Sequence, residues 1–127
     1  MKYLGIDYGA KRIGLSVSDA DGKIAFPRTS IPNDATLETF IADVIRNENI
    51  GTVIVGDTRA LSGEKNPITK EAEEFVVELA SHVGVPIKTI WEGWSSREAS
   101  RYAPKGREHD DAAAAAIILQ RYLDFNA

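Results

Sequence analysis

Apolar residues along the chain follow two rhythms, short blocks first and helical spacing later. Tyr3, Leu4, Gly5 and Ile6 form a compact apolar run that stops at Asp7, and Ile13 to Val17 alternates Ile, Leu and Val with Gly14 and Ser16. Such blocks predict strands. Tyr8 to Arg12 carries the Gly and polar residues of a hairpin connection, and Asp21-Gly22 marks a second turn into Lys23 to Arg28, completing a three-stranded meander. Leu37, Phe40, Ile41, Val44 and Ile45 then recur at the period of an amphipathic helix, with Asn33 and Asp34 before it as candidate caps. Thr52 to Val55 is a β-branched run between Gly51 and Gly56, as expected of a strand buried on both faces. Asn66-Pro67 offers a cap and a first helical residue for a second helix, whose stripe of Ile68, Ala72, Phe75, Val76, Leu79, Ala80 and Val83 ends near Gly84. Pro86 to Trp91 reads as a fifth strand, Ser96 to Arg101 as a helical turn, and Asp111 to Tyr122 as an Ala-rich last helix.

The resulting order, βββαβαβ(α)α, predicts an α/β fold with a five-stranded mixed sheet flanked by helices. Strands one, four and five run parallel in it, because crossover helices return the chain to the same end of the sheet. No repeat, linker or break in composition divides the chain, so residues 1–127 are expected to form a single domain. Sites in such sheets form beyond the carboxyl ends of the parallel strands. That rule singles out Asp7 after strand one, Asp57 after strand four and Glu92 after strand five, with Asp110 and Asp111 opening the last helix.

Composition narrows the chemistry. Cys is absent, which excludes disulfides, thiolate nucleophiles and Cys-ligated metals and leaves oxygen and His ligands. The formal net charge of −4 removes bulk attraction to nucleic acid or anionic membranes, so any nucleic-acid surface must be a local patch. No apolar stretch approaches the roughly 18 residues that span a bilayer, and Met1-Lys2 leads straight into a strand with no signal-peptide core. A cytoplasmic protein without membrane contact is the expectation.

Carboxylates gathered from separate elements repel one another, and burying them without a partner costs several kcal/mol, so such a cluster implies a cation. With oxygen ligands only, that cation is a hard divalent ion, and magnesium among carboxylates and water characteristically works on phosphates. Two such ions activate a water and stabilise the leaving oxygen of a phosphodiester. Each acid also has a structural reading: Asp110 and Asp111 as helix caps, Asp7 as a turn-former, Asp57 as a loop acid. His82 reads as a helix-face residue and His109 as a polar residue before the last helix, neither with a partner at ligand spacing.

Gly5 to Asp19, reading GIDYGAKRIGLSVSD, resembles the first motif of the YqgF/RuvX family, the RuvC-like nucleases with an RNase H-like fold. The C-terminal Asp111, followed by Ala112 to Ala116 and the run Ile117-Ile118-Leu119-Gln120-Arg121-Tyr122-Leu123, is similar to the family's closing motif. The resemblance covers nearly the whole chain. It implies a metal-dependent endonuclease acting on structured nucleic acid, either in 5′-end maturation of pre-16S ribosomal RNA or as a Holliday junction resolvase. It also implies catalysis and binding of Mg2+ or Mn2+ by Asp7, Glu92 and Asp111, and Asp57 is a candidate fourth ligand. The middle of the chain departs from the family pattern. Where the family reads Asp-Glu-Arg followed by an apolar residue and two Ser or Thr, this chain has Trp91-Glu92-Gly93-Trp94-Ser95-Ser96, so Glu92 remains without its flanking Asp and Arg; after strand four, Gly56-Asp57-Thr58-Arg59 replaces Gly-Leu-Pro.

Phosphates require cations, and Arg97, Arg101, Lys105 and Arg107 lie close together in the sequence with Tyr102 available for stacking. Lys11 and Arg12 in the first turn are expected near Asp7, with Arg59 and Lys65 in the loop after strand four. The alternative for all of them is a solvated loop surface. Of Trp91 and Trp94, one is expected in the core and the other as a stacking platform. Two further readings compete: a binding module that keeps the fold after losing catalysis, and an actin-like ATPase or sugar kinase using Gly5 to Gly9 as a phosphate loop. Length opposes the second, since such kinases clamp nucleotide between two related domains. A monomer suffices to process one RNA end, whereas a junction resolvase needs a homodimer.

Overall fold

In a computed structural model of the protein, the described residues are 1–57, 67–91 and 111–125. The elements are β1 (Lys2–Tyr8), β2 (Arg12–Ser18), β3 (Ala25–Pro32), α1 (Leu37–Asn47), β4 (Ile50–Asp57), α2 (Pro67–His82), β5 (Ile87–Trp91) and α3 (Asp111–Phe125). The five strands form one sheet in the order β3-β2-β1-β4-β5. β1 to β3 are an antiparallel meander, and β1, β4 and β5 are parallel, as the order of elements requires. The expected helical turn from Ser96 to Arg101 lies outside the described residues.

β3 begins and ends later than its apolar pattern suggests. The reason is the turn before it: Asp19 Oδ1 accepts hydrogen bonds from the Lys23 and Ile24 amides at 2.7 and 3.1 Å, and Gly22 takes a φ of +70°. Those bonds hold Lys23 and Ile24 in the turn, and β3 then pairs with the whole of β2, from Ser18 opposite Ala25 to Arg12 opposite Pro32. A register shift at Leu15/Ser16 and an edge position accommodate Pro27, which has no amide hydrogen to give a ladder.

The sheet is covered unequally on its two faces. Leu4, Ile6, Tyr8, Ile13, Leu15, Val17, Val53 and Val55 meet Leu37, Ile41 and Ile45 of α1 and Ala72, Phe75 and Leu79 of α2. The spacing of Phe40 suggested a core position, yet it is exposed, because Leu37, Ile41 and Ile45 already fill the buried stripe of α1. Neither candidate cap takes that role. Thr36 is the N-cap residue, Asp34 Oδ1 accepts from the Thr36 amide and hydroxyl, and Asn33 Nδ2 reaches the Gly9 carbonyl.

Among the described residues, the second face carries α3. Ile54 joins Ile118, Leu119 and Leu123 there, with Tyr3 against Tyr122 at a ring distance of 5.8 Å. Between these contacts the strands present Gly5, Gly14 and Ser16 to a run of alanines, so the helix lies against the backbone itself. A Cβ on Gly5 would stand 2.8 Å from Leu119 Cβ and 3.0 Å from the Ala115 carbonyl oxygen. The buried Ser16 hydroxyl donates to that same carbonyl at 2.8 Å. No described helix is long and apolar enough to cross a membrane.

Candidate active site

α3 runs antiparallel to β1, since Tyr3 meets Tyr122 while Gly5 meets Leu119 and Ala115. Its first residue therefore arrives at the carboxyl end of β1, where Asp7 stands. Two observations fix the meeting point. Asp7 pairs with Gly14 across β1 and β2, and a Cβ on Gly14 would fall 1.9 Å from the Asp111 carbonyl oxygen and 2.9 Å from its Cβ. Cross-strand partners project to the same face of a sheet. Asp7 and Asp111 thus share one face at one end of the molecule, brought together from opposite ends of the chain.

Asp111 is half-buried, and its Oδ2 accepts a hydrogen bond from the Ser30 hydroxyl of β3 at 3.0 Å. Arg12, at the start of β2, donates Nε–H to the same Ser30 oxygen at 3.1 Å, and its Nε lies 3.5 Å from Asp111 Oδ2. Arg12, expected near Asp7, forms an ion pair with Asp111. The two side chains are 63% and 30% exposed, so the pair contributes little stability and the guanidinium is open to an incoming anion. Lys11 is also exposed on this turn, and its carbonyl accepts from the Asn33 amide at 2.9 Å. Asn33 therefore ties the β1–β2 turn to the end of β3 through both its backbone and its side chain.

Other expected site residues are placed only in part or not at all. The backbone of Asp57 closes β4 opposite Trp91 at the end of β5; both side chains lie outside what is described. Glu92, Arg59, Lys65, Trp94, Arg97, Arg101, Tyr102, Lys105, Arg107, His109 and Asp110 lie outside the described residues. His82 is on the exposed face of α2, with Nε2 3.5 Å from Glu38 Oε2. Tyr8 follows Asp7 but faces the other side, packing its ring at a tilt against Phe75 and donating its hydroxyl hydrogen to Glu71 at 3.0 Å. Burial, reinforced by Glu71, pushes the Tyr8 hydroxyl's pKa above its ordinary value. Nothing in the local sequence of Ser30 distinguishes it from any other edge-strand serine, and Asn33, a candidate cap by its position before α1, instead bonds to the β1–β2 turn.

Asp7 at the end of a strand and Asp111 at the start of a helix offer only hard oxygen donors, in a chain without Cys. That donor set fits a divalent cation of the magnesium or manganese kind. Among the described residues no three Asp, Glu, His or Cys side chains gather as a metal site.

The RuvX family, described as Holliday junction resolvase, matches residues 1–125. The chain belongs to the RuvX family. A relative from Anaeromyxobacter sp. strain Fw109-5, named "Putative pre-16S rRNA nuclease", is 37% identical over 134 residues, covering 98% of this chain and 97% of its own. A protein of the same name from Maridesulfovibrio salexigens is 33% identical over 132 residues, covering 97% and 98%. Among solved structures, RuvC of T. thermophilus in complex with a Holliday junction substrate superimposes with a TM-score of 0.66 at 15% identity, over 99% of this chain and 96% of that one. The fowlpox virus Holliday junction resolvase gives 0.62 at 13% identity, over 98% and 99%. These likenesses establish the fold of this RuvX-family chain as RNase H-like, as its terminal motifs implied.

Proposed function

We propose that this RuvX-family protein is a divalent-metal-dependent nuclease that hydrolyses phosphodiester bonds of structured nucleic acid, with precursor 16S ribosomal RNA as its substrate. The observation that carries the reading is that Asp7 lies opposite Gly14 in the sheet while Asp111 packs on that same glycine. Two carboxylates held on one face by a close-packed helix repel one another, and a bound cation would offset that repulsion beyond what the exposed Arg12 guanidinium supplies to Asp111. Asp7 and Asp111 would hold Mg2+ or Mn2+, with Glu92 and Asp57 as the further ligands their positions after β5 and β4 suggest. Such an ion, when bound, polarises the phosphoryl oxygen and lowers the pKa of a bound water.

The remaining work belongs to the chain's own side chains. Lys11 and Arg12 are exposed at the same rim and orient a backbone phosphate toward the carboxylates. Arg59, Arg97, Arg101, Lys105 and Arg107 extend the cationic track in this reading, giving an acidic protein a local surface for a polyanion. The whole of residues 1–127 acts as one domain, and ribosomal RNA precursors place its work in the cytoplasm. One RNA end is served by a monomer; a four-way DNA junction is served by a homodimer with paired sites.

The relatives' names favour ribosomal RNA and the family description favours junctions, so both substrates belong in one experiment. Cleavage of a pre-16S RNA fragment and a four-way DNA junction is measured with Mg2+ or Mn2+ for the wild type and Asp7→Asn. Metal-dependent cutting of the RNA, abolished in the variant, is expected. Preferential cutting of the junction would transfer the reading to a resolvase. Two intact substrates, bound equally by both proteins, would leave a non-catalytic binding module.

A further inference from the structure

A serine hydroxyl has one hydrogen to donate, and its direction depends on what occupies the oxygen's lone pairs. At Ser30 that choice is made by Arg12, whose Nε–H donates to Oγ at 3.1 Å. The Ser30 hydrogen is then committed to Asp111 Oδ2, 3.0 Å away. Both Ser30 and the Arg12 guanidinium act on Oδ2, so neither contact engages Oδ1. Ser30 on β3 pairs with Gly14 of β2 and lies diagonally across the ladder from Arg12, whose own partner is Pro32, and Asp111 begins the helix that rests on Gly14 at this same end of the strands. The hydrogen bond therefore ties the first residue of α3 to the far edge of the sheet. Backbone packing on Gly14 sets where Asp111 sits, but it does not set the rotation of the carboxylate.

We infer that Ser30 is a positioning residue for Asp111: its hydroxyl, oriented by Arg12, fixes the carboxylate with one oxygen restrained and the other presented toward Asp7 and the cation. The inference rests on the assignment of Asp7 and Asp111 as cation ligands. Outer-shell hydrogen bonds of this kind orient ligands before the ion arrives, so that binding does not have to order the carboxylate. Ser30 touches neither substrate nor cation in this scheme and acts through Asp111 alone.

The test is direct calorimetric titration of the full chain with Mn2+, for the wild type, Ser30→Ala, Ser30→Val, Ser30→Thr and Asp111→Asn. Threonine and valine are close in volume, and both suit an edge strand, so they differ in the hydroxyl and little else. Thermal melts without metal show that each variant is folded. Loss of the hydroxyl in Ser30→Ala and Ser30→Val is expected to weaken Mn2+ binding by about 10-fold, the lower end of outer-shell effects. Ser30→Thr is expected to stay close to the wild type. In cleavage assays the same two variants should need more Mn2+ while their KM for nucleic acid at saturating metal is unchanged. Wild-type Mn2+ affinity in Ser30→Val beside a loss in Asp111→Asn overturns the role of Ser30 and leaves the site intact. Equal weakening in Ser30→Thr and Ser30→Val overturns it too, since shape and not the hydroxyl would then be responsible. Unaltered Mn2+ binding in Asp111→Asn removes the site assignment on which the inference stands.

Discussion

At the scale of single residues, the site depends on side chains that are missing. Gly14 has no Cβ, and the space a Cβ would need is held by the carbonyl carbon and oxygen of Asp111, at 2.3 and 1.9 Å. Those are backbone atoms and cannot rotate away, so Gly14→Ala must push the start of α3 off the sheet. A destabilisation of about 1–3 kcal/mol is expected, as for other overpacked positions. Urea unfolding of the variant measures it, and cation binding should weaken in parallel because Asp111 moves with the helix. Ser16 shows the complementary case: its buried hydroxyl donates to the Ala115 carbonyl. Ser16→Ala is expected to lose about 1 kcal/mol, the usual net value of one such bond, without altering the cation site; a change in Mn2+ affinity at constant fold would contradict that separation. The acids at either end of the chain were legible as candidates from their positions after an apolar run and before an Ala-rich helix. Ser30 was not, because its role comes from Arg12 and Asp111, and Asp111 lies 81 residues away.

At the scale of elements, the two faces of the sheet solve different problems. α3 packs on glycine, serine and alanine and comes close enough to deliver a carboxylate to β1. α1 and α2 pack on large aliphatic residues and bring acidic rims together at their outer edges. There Glu38 of α1 shares a hydrogen bond with Glu78 of α2, which, with burial and the charge of Glu78, raises the pKa of Glu38; His82 opposes the shift. A pKa raised in the folded state means that the fold binds this proton more tightly than the unfolded chain does. The associated stability is complete below the ordinary carboxylate pKa and is lost as pH rises through the raised value. Glu78→Gln is expected to flatten that dependence and to raise stability at neutral pH, because the amide donates to Glu38 whatever its charge. Thermal melts of the two proteins across the acidic range check this, and parallel curves would refute it. The helical periods of α1, α2 and α3 were readable in the sequence. The limits of β3 were not, since they are set by Asp19 in the preceding turn and by pairing with β2, neither of which appears in β3's own hydrophobic pattern.

At the scale of the whole molecule, a chain of net charge −4 must bind a polyanion through a local surface. Binding measured against salt then reports how many cations take part, since each phosphate contact on a single strand adds about 0.7 to the slope of log K against log salt. Arg12→Gln is expected to reduce that slope by roughly one contact. Fluorescence anisotropy with labelled RNA gives the number, and an unchanged slope would place Arg12 outside the interface. The sequence by itself determined the α/β class, the parallel arrangement of β1, β4 and β5, the exclusion of thiolate chemistry and the family, because each follows from local periodicity, composition or contiguous motifs. Only the tertiary structure decided that Arg12 pairs with Asp111, that Ser30 joins them, and that Asp111 packs on Gly14, the cross-strand partner of Asp7. Those are long-range contacts: they arise when a helix from one end of the chain is laid antiparallel across a strand from the other, and no local pattern specifies the register at which the two come to rest.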